Sequence, residues 1–212
     1  MLSQNLAKAE RLRQSTGSIS KFTTAAKTPS TVKLLDIHAN RAATKWTLGE
    51  QCGRVLWGLV APLFRLSPRP LWCWRRVLLR LFGANVARGV HVFPTVRITI
   101  PWNLDIAEDA AIGDRVILYA LGQISIGSRS TISQGAHLCA GTHDIAHPSR
   151  PLVKAPVKIG SDVWVCADAF VGPGVDVGDG AIVGARAVAM KNVPAHTIVA
   201  GNPARQIRTI NA

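Results

Sequence analysis

The sequence predicts a β-helix built from hexapeptide repeats, on three observations. Aliphatic residues recur every six positions, small residues follow them, and the ladder is interrupted at related points. Its members are Val86, Val92, Ile98, Ile106, Ile112, Leu118, Ile126, Ile132, Leu138, Ile159, Val165, Val171, Val177, Val183 and Ala189. A step of six matches neither the 3.6-residue period of a helix nor the two-residue alternation of a single long strand. It fits a short strand, a tight turn and another short strand. Three such units return the chain above its start, so aliphatic side chains stack from coil to coil and no coil buries a core alone. The small followers are Ala87, Ala107, Gly113, Gly127, Ser133, Gly160, Gly172, Gly178 and Gly184, and the turns' positive φ is expected at these positions.

From the N-terminus, residues 1–50 read as a flexible basic arm. They mix Ser, Thr, Lys, Ala and Arg with few large apolar groups, too few to order themselves, although a helical turn around Leu6 to Leu12 stays open. Charge separates the chain's halves. Residues 1–100 hold 16 Lys or Arg against Glu10, Asp36 and Glu50, whereas residues 101–212 hold nine of each sign, so the formal charge of +13 lies in the first half. A solvated tail, a membrane surface or another polyanion all fit that balance. Nucleic acid is disfavoured because no recognisable binding module accompanies the charge.

Residues 51–85 read as an amphipathic helical extension. Val55 to Leu66 is apolar but broken by Pro62 and too short to span a bilayer. After the Ser67-Pro68-Arg69-Pro70 turn, Leu71 to Phe82 forms a second helix that stops at Gly83. On a helical wheel Leu71, Trp74, Leu78, Leu81 and Phe82 share one face, and Arg75, Arg76 and Arg80 lie nearer the polar side. Two readings follow: a helix lying at a membrane interface, or one capping the open end of the first coil.

Residues 86–205 are the expected β-helix, and 206–212 a C-terminal tail. The ladder step widens to eight between Ile98 and Ile106 and again between Leu118 and Ile126. Between Leu138 and Ile159 it widens to 21, so a loop leaves the coil there, and loops on solenoids often carry function. Cys52, Cys73, Cys139 and Cys166 form no C-x-x-C pair and read as reduced packing thiols of a cytosolic protein. The first 30 residues contain no convincing secretory signal.

The loop contains Ala140-Gly141-Thr142-His143-Asp144. A histidine on a loop beside a rigid scaffold suits a general base. With Pro101-Trp102-Asn103-Leu104, Ile132-Ser133-Gln134-Gly135-Ala136, Val163-Trp164-Val165 and Gly201-Asn202-Pro203-Ala204-Arg205, this stretch resembles the hexapeptide-repeat O-acetyltransferases. Within them the likeness is to the colanic acid biosynthesis acetyltransferases of the maltose and galactoside acetyltransferase group. It runs from about Leu56 to Ile210.

The resemblance implies a left-handed coil, acetyl-CoA as co-substrate, no metal, and direct acetyl transfer to a sugar hydroxyl with His143 as general base. It also implies a homotrimer with active sites between neighbouring chains. Trp102, Asn103 and Asp144 would meet the acceptor, while Trp164, Gly172, Gly184, Ala185, Lys191 and Arg205 would line the acetyl-CoA groove. The expected acceptor is a lipid-linked or nucleotide-linked saccharide of surface or exopolysaccharide synthesis. The expected location is the cytoplasm, with peripheral attachment to the inner face of the membrane. Two positions depart from the family: Ala120, where relatives carry an acceptor-contacting Asn or Asp, and Cys166, where Gly is usual. The alternatives are a γ-type zinc carbonic anhydrase using His137, His143 and His147, and a non-catalytic scaffold.

Overall fold

A computed structural model describes residues 34–210. The expectations for residues 1–33, including the turn at Leu6 to Leu12, lie outside the described residues. Among the described residues three helices precede the coil: α1 (Ile37–Ala42), α2 (Leu48–Arg65) and α3 (Trp72–Leu81). Helix α1 falls within the stretch expected to be flexible, and Asp36 caps it by accepting from the Ala39 N–H at 2.8 Å. Helix α2 begins at a capping box in which Thr47 and Glu50 each accept from the other's backbone N–H.

The rest is a left-handed β-helix with three faces. The first stacks Asn85–Val86, Leu104–Ile106, Ile124–Ile126, Val157–Ile159 and Asp176–Val177 in parallel. The second stacks His91–Val92, Ala111–Ile112, Thr131–Ile132, Trp164–Val165, Ile182–Val183 and Thr197–Ala200, and the antiparallel strand Arg205–Thr209 closes it. The third stacks Arg97–Ile98, Ile117–Tyr119, His137–Cys139, Phe170–Val171 and Val188–Ala189. All fifteen ladder residues are buried in one continuous core. All three interruptions fall at the corner joining the third face to the first.

The turns differ from expectation. Positive φ falls three residues after a ladder position, at Gly89, Asp109, Arg129, Asp162 and Gly180 on one corner and at Arg115, Gly135, Asp168 and Arg186 on the next. The small residues directly after the ladder answer a different need, the close approach of consecutive coils. A Cβ on Gly127 would lie 2.5 Å from the Ser161 backbone nitrogen, and one on Gly178 would lie 2.5 Å from that of Ala195. Backbone cannot step aside as a flexible side chain can, so these positions exclude side chains on steric grounds.

The first coil shows why the helices sit where they do. In the second coil, the carbonyls of Ile106, Ala110, Ile112 and Leu118 accept from N–H groups of the first. The corresponding carbonyls of the first coil, Val86, Val90, Val92 and Ile98, have no coil beneath them. They accept instead from Arg80 (Nε, 2.7 Å), Arg76 (Nη1, 2.9 Å), Arg75 (Nε, 2.5 Å) and Trp57 (Nε1, 2.9 Å). Side chains of α2 and α3 thus replace a missing strand, as buried carbonyls require.

This corrects the wheel reading of α3. Arg75 is fully buried among the coil, Ser67 Oγ (2.8 Å), Pro68 O (2.9 Å) and Arg69 O, with its guanidinium 4.7 Å from the Trp72 ring. Burial lowers its pKa from the ordinary value. Leu78 and Leu79 bury beside it, whereas Leu71, Trp74 and Leu81 are exposed. The need for donors at the open end of the coil outweighs the usual preference of arginine for solvent.

Candidate active site

The long interruption forms a β-hairpin, with Thr142–His143 paired antiparallel to Leu152–Val153. His143 is exposed on it, and its Nδ1 donates to the Arg150 carbonyl at 2.7 Å. In a neutral ring that bond leaves the lone pair on Nε2, the form able to take a proton. Asp144 closes the adjoining turn by accepting the Ala146 N–H on Oδ1 at 2.9 Å.

Other expected residues occupy the same corner. Asn103 Nδ2 donates to the carbonyls of Ala120 (2.9 Å) and Leu121 (3.0 Å), which holds two successive coils together there. Trp102 packs against α2 so closely that a Cβ at Gly53 would lie 2.9 Å from its ring. Ala120 is fully buried, so its side chain offers nothing to an acceptor. Gly172 lies further along the corner, where Met190 covers it. Lys191 shares a cleft with Arg205, lined also by Met190, Pro203 and Gln206.

The remaining expected residues lie elsewhere. Trp164 is half-exposed on the second face, across the coil from the corner that bears His143, and its Nε1 donates to Ser133 Oγ at 2.9 Å. Gly184 and Ala185 follow the second-face strand Ile182–Val183, at its corner with the third face. One chain therefore brings Trp102, Asn103, His143, Asp144, Gly172 and Lys191 along one corner but leaves Trp164, Gly184 and Ala185 apart.

The three histidines of the zinc alternative do not converge. His137 packs edge-on to Phe170 (5.1 Å) and Tyr119 (6.3 Å) on the third face, and burial lowers its pKa, favouring the neutral ring. His147 Nδ1 instead accepts from Ser149 N at 3.2 Å. Among the described residues no cluster of His, Cys, Asp or Glu could hold a metal ion. Burial also raises the pKa of the Cys166 thiol, keeping it in the protonated form.

The N-terminal segment also reaches the hairpin, which nothing in its composition signals. The Asp36 N–H donates to Pro148 O (3.0 Å), and Asn40 Nδ2 donates to Ser149 O (2.5 Å) and Arg150 O (2.8 Å). Lys154 pairs with Glu50 at 3.3 Å and lies over the Trp46 ring. The Thr47 N–H and then Lys154 hold the Glu50 carboxyl below its ordinary pKa. That contact is therefore fully present above the ordinary glutamate range and is lost as pH falls through the lowered folded value.

Comparison with known proteins agrees with this architecture. The family "Bacterial transferase hexapeptide (six repeats)" matches residues 156–188. The Escherichia coli K12 protein named "Putative colanic acid biosynthesis acetyltransferase WcaF" is 46% identical over 152 residues, covering 72% of this chain and 84% of the relative. The chain belongs to the hexapeptide-repeat acetyltransferase family. Two crystal structures share the fold. A maltose O-acetyltransferase from Clostridium difficile 630 superposes with a TM-score of 0.72 at 24% identity, over 78% of this chain and 90% of its own. The acetyltransferase VCA0836 of Vibrio cholerae, solved with acetyl-CoA, gives 0.74 at 22% identity, over 80% and 93%.

Proposed function

We propose that this protein transfers acetyl from acetyl-CoA to a sugar hydroxyl during surface or exopolysaccharide biosynthesis, on a lipid-linked or nucleotide-linked saccharide. His143 Nε2 takes the acceptor's proton as its oxygen attacks the thioester carbonyl. The tetrahedral intermediate collapses with breakage of the C–S bond, and the CoA sulfur leaves with the proton returned by the imidazolium. No covalent enzyme intermediate is needed. The single observation carrying this reading is the exposed His143, set by the Arg150 carbonyl in the tautomer a base requires. Acetyl-CoA enters from the relatives, and Lys191 and Arg205 are the cations we assign to its phosphates.

The active unit in this proposal is a homotrimer, because Trp164, Gly184 and Ala185 lie away from His143 within one chain. A site between copies would join His143 of one to the groove of the next. Coexpressed His143→Ala and Trp164→Ala chains test this. Each alone should be nearly inactive with acetyl-CoA and cell-envelope glycolipid, and mixed assemblies should regain a measurable share of activity. Mixed assemblies as inactive as the parents would count against a shared site.

Attachment to the membrane surface completes the proposal. No helix among the described residues is long and apolar enough to cross a membrane. The outward side of α2 nevertheless presents Leu48, Val55, Leu56, Leu59 and Leu63, and Leu66 follows at its C-terminal end, with Leu59 71% and Leu66 83% exposed. Trp74 joins this stripe to α3 by donating from Nε1 to Leu63 O at 3.3 Å. An apolar outward stripe on a basic segment suits an anionic lipid interface, where each nearby Lys or Arg contributes about 1 kcal/mol before screening. Full-length protein should sediment with anionic vesicles, less so as salt rises, and Leu59→Glu with Leu63→Glu should abolish sedimentation while leaving the melting temperature unchanged. Sedimentation undiminished in that variant would reject the stripe as the lipid-facing side.

A further inference from the structure

We infer that Asn40 is a positioning residue for His143, acting through the Arg150 carbonyl; this rests on the reading of His143 as the base. The carbonyl of Arg150 accepts from both His143 Nδ1 (2.7 Å) and Asn40 Nδ2 (2.8 Å). The Asn40 amide is itself oriented: Lys45 Nζ donates to its Oδ1 at 3.0 Å, which leaves Nδ2 facing the hairpin. Its second N–H reaches Ser149 O, and the Asp36 backbone N–H takes Pro148 O. Three consecutive carbonyls at the return of the hairpin are therefore held by residues 36–40.

The held peptide is not a relaxed one. Arg150 has φ +43°, a left-handed conformation that is strained for a residue with a Cβ. A backbone in that region persists only where its surroundings hold it. Once the Asn40 donors are gone, Arg150 can leave the left-handed region and take its carbonyl away from Nδ1. The ring then loses both its aim and the bond that selects the tautomer with its lone pair on Nε2. Asn40 touches no reacting atom, so its contribution is the direction in which His143 points.

Asn40→Asp keeps the size of the side chain but replaces the donating NH₂ with an oxygen facing two carbonyls. We expect kcat to fall about 10- to 100-fold, the scale of a small misplacement of a reacting group, with KM for acetyl-CoA unchanged. Asn40→Gln, which keeps the amide donors, should recover part of the loss. In a His143→Ala background Asn40→Asp should cost nothing further. Nitrogen NMR of the imidazole supplies a readout independent of turnover: the Nδ1–H form should dominate in the native protein and lose its dominance in Asn40→Asp. His143→Ala with native turnover would defeat the reading of His143 as base. If His143→Ala is inactive yet Asn40→Asp turns over normally, costs as much in both backgrounds, or leaves the tautomer unchanged, the positioning role is overturned and the base survives.

Discussion

Replacing His143 with Ala or Asn should lower kcat by roughly 10²- to 10⁴-fold, the range for loss of a positioned general base, while leaving acetyl-CoA affinity nearly unchanged. The affinity should hold because the cations we assign to acetyl-CoA, Lys191 and Arg205, sit in a separate cleft at the far end of the coil. The fold should also hold, since His143 is exposed and its side-chain hydrogen bond to Arg150 O lies within the hairpin. Single-turnover acetyl transfer beside equilibrium binding of acetyl-CoA separates the two quantities. Near-native turnover in either variant removes His143 as the base.

Arg75→Met should destabilise the protein by about 3 kcal/mol, because hydrogen bonds to a charged group contribute about 1.5–3 kcal/mol and each orphaned buried acceptor costs about 1–3. In a chain of this size that corresponds to a fall of about 6–12 °C in melting temperature. Arg75→Lys should recover only part of the loss, since one ammonium cannot reach Val92 O and Arg69 O together as the planar guanidinium does. Arg88→Ala, at an exposed position beside the first corner, should change little. An Arg75→Met protein that melts within a degree or two of the native one would show that the end of the coil needs no donors there.

The β-helix was legible because its signal is the burial of aliphatic side chains at fixed intervals, which solvent transfer imposes locally and repeatedly. The location of positive φ was not legible in the same way. Arg115, Arg129 and Arg186 adopt it although nothing in their chemistry favours them as glycine substitutes. The glycines directly after the ladder positions are instead required by the close approach of the neighbouring coil. The orientation of α3 failed for a related reason: a helical wheel weighs each side chain against water, whereas Arg75, Arg76 and Arg80 answer carbonyls up to seventeen residues away. The hairpin that carries His143 could be read from the 21-residue step in the ladder. Asn40 could not, because it meets its partners across more than 100 residues of chain and stands in a segment whose composition suggests no structure.

The two ends of the coil are closed by different devices, arginine and tryptophan donors below the first coil and the antiparallel strand Arg205–Thr209 beside the last strand of the second face. Between them each coil meets only its neighbours, so the terminators, and not the number of coils, define a finished molecule. That makes length an evolvable quantity. A duplication of one whole three-strand turn inserted after Val171, past the hairpin and before the C-terminal cleft, would present the same stacking surfaces above and below. Growth there would lengthen the distance between the His143 hairpin and the Lys191–Arg205 cleft by one coil height. On the proposed assignment of His143 as base and of Lys191 and Arg205 to the phosphates of acetyl-CoA, a lineage of such proteins could change the length of the donor it accommodates by copying a repeat, with no new fold to discover.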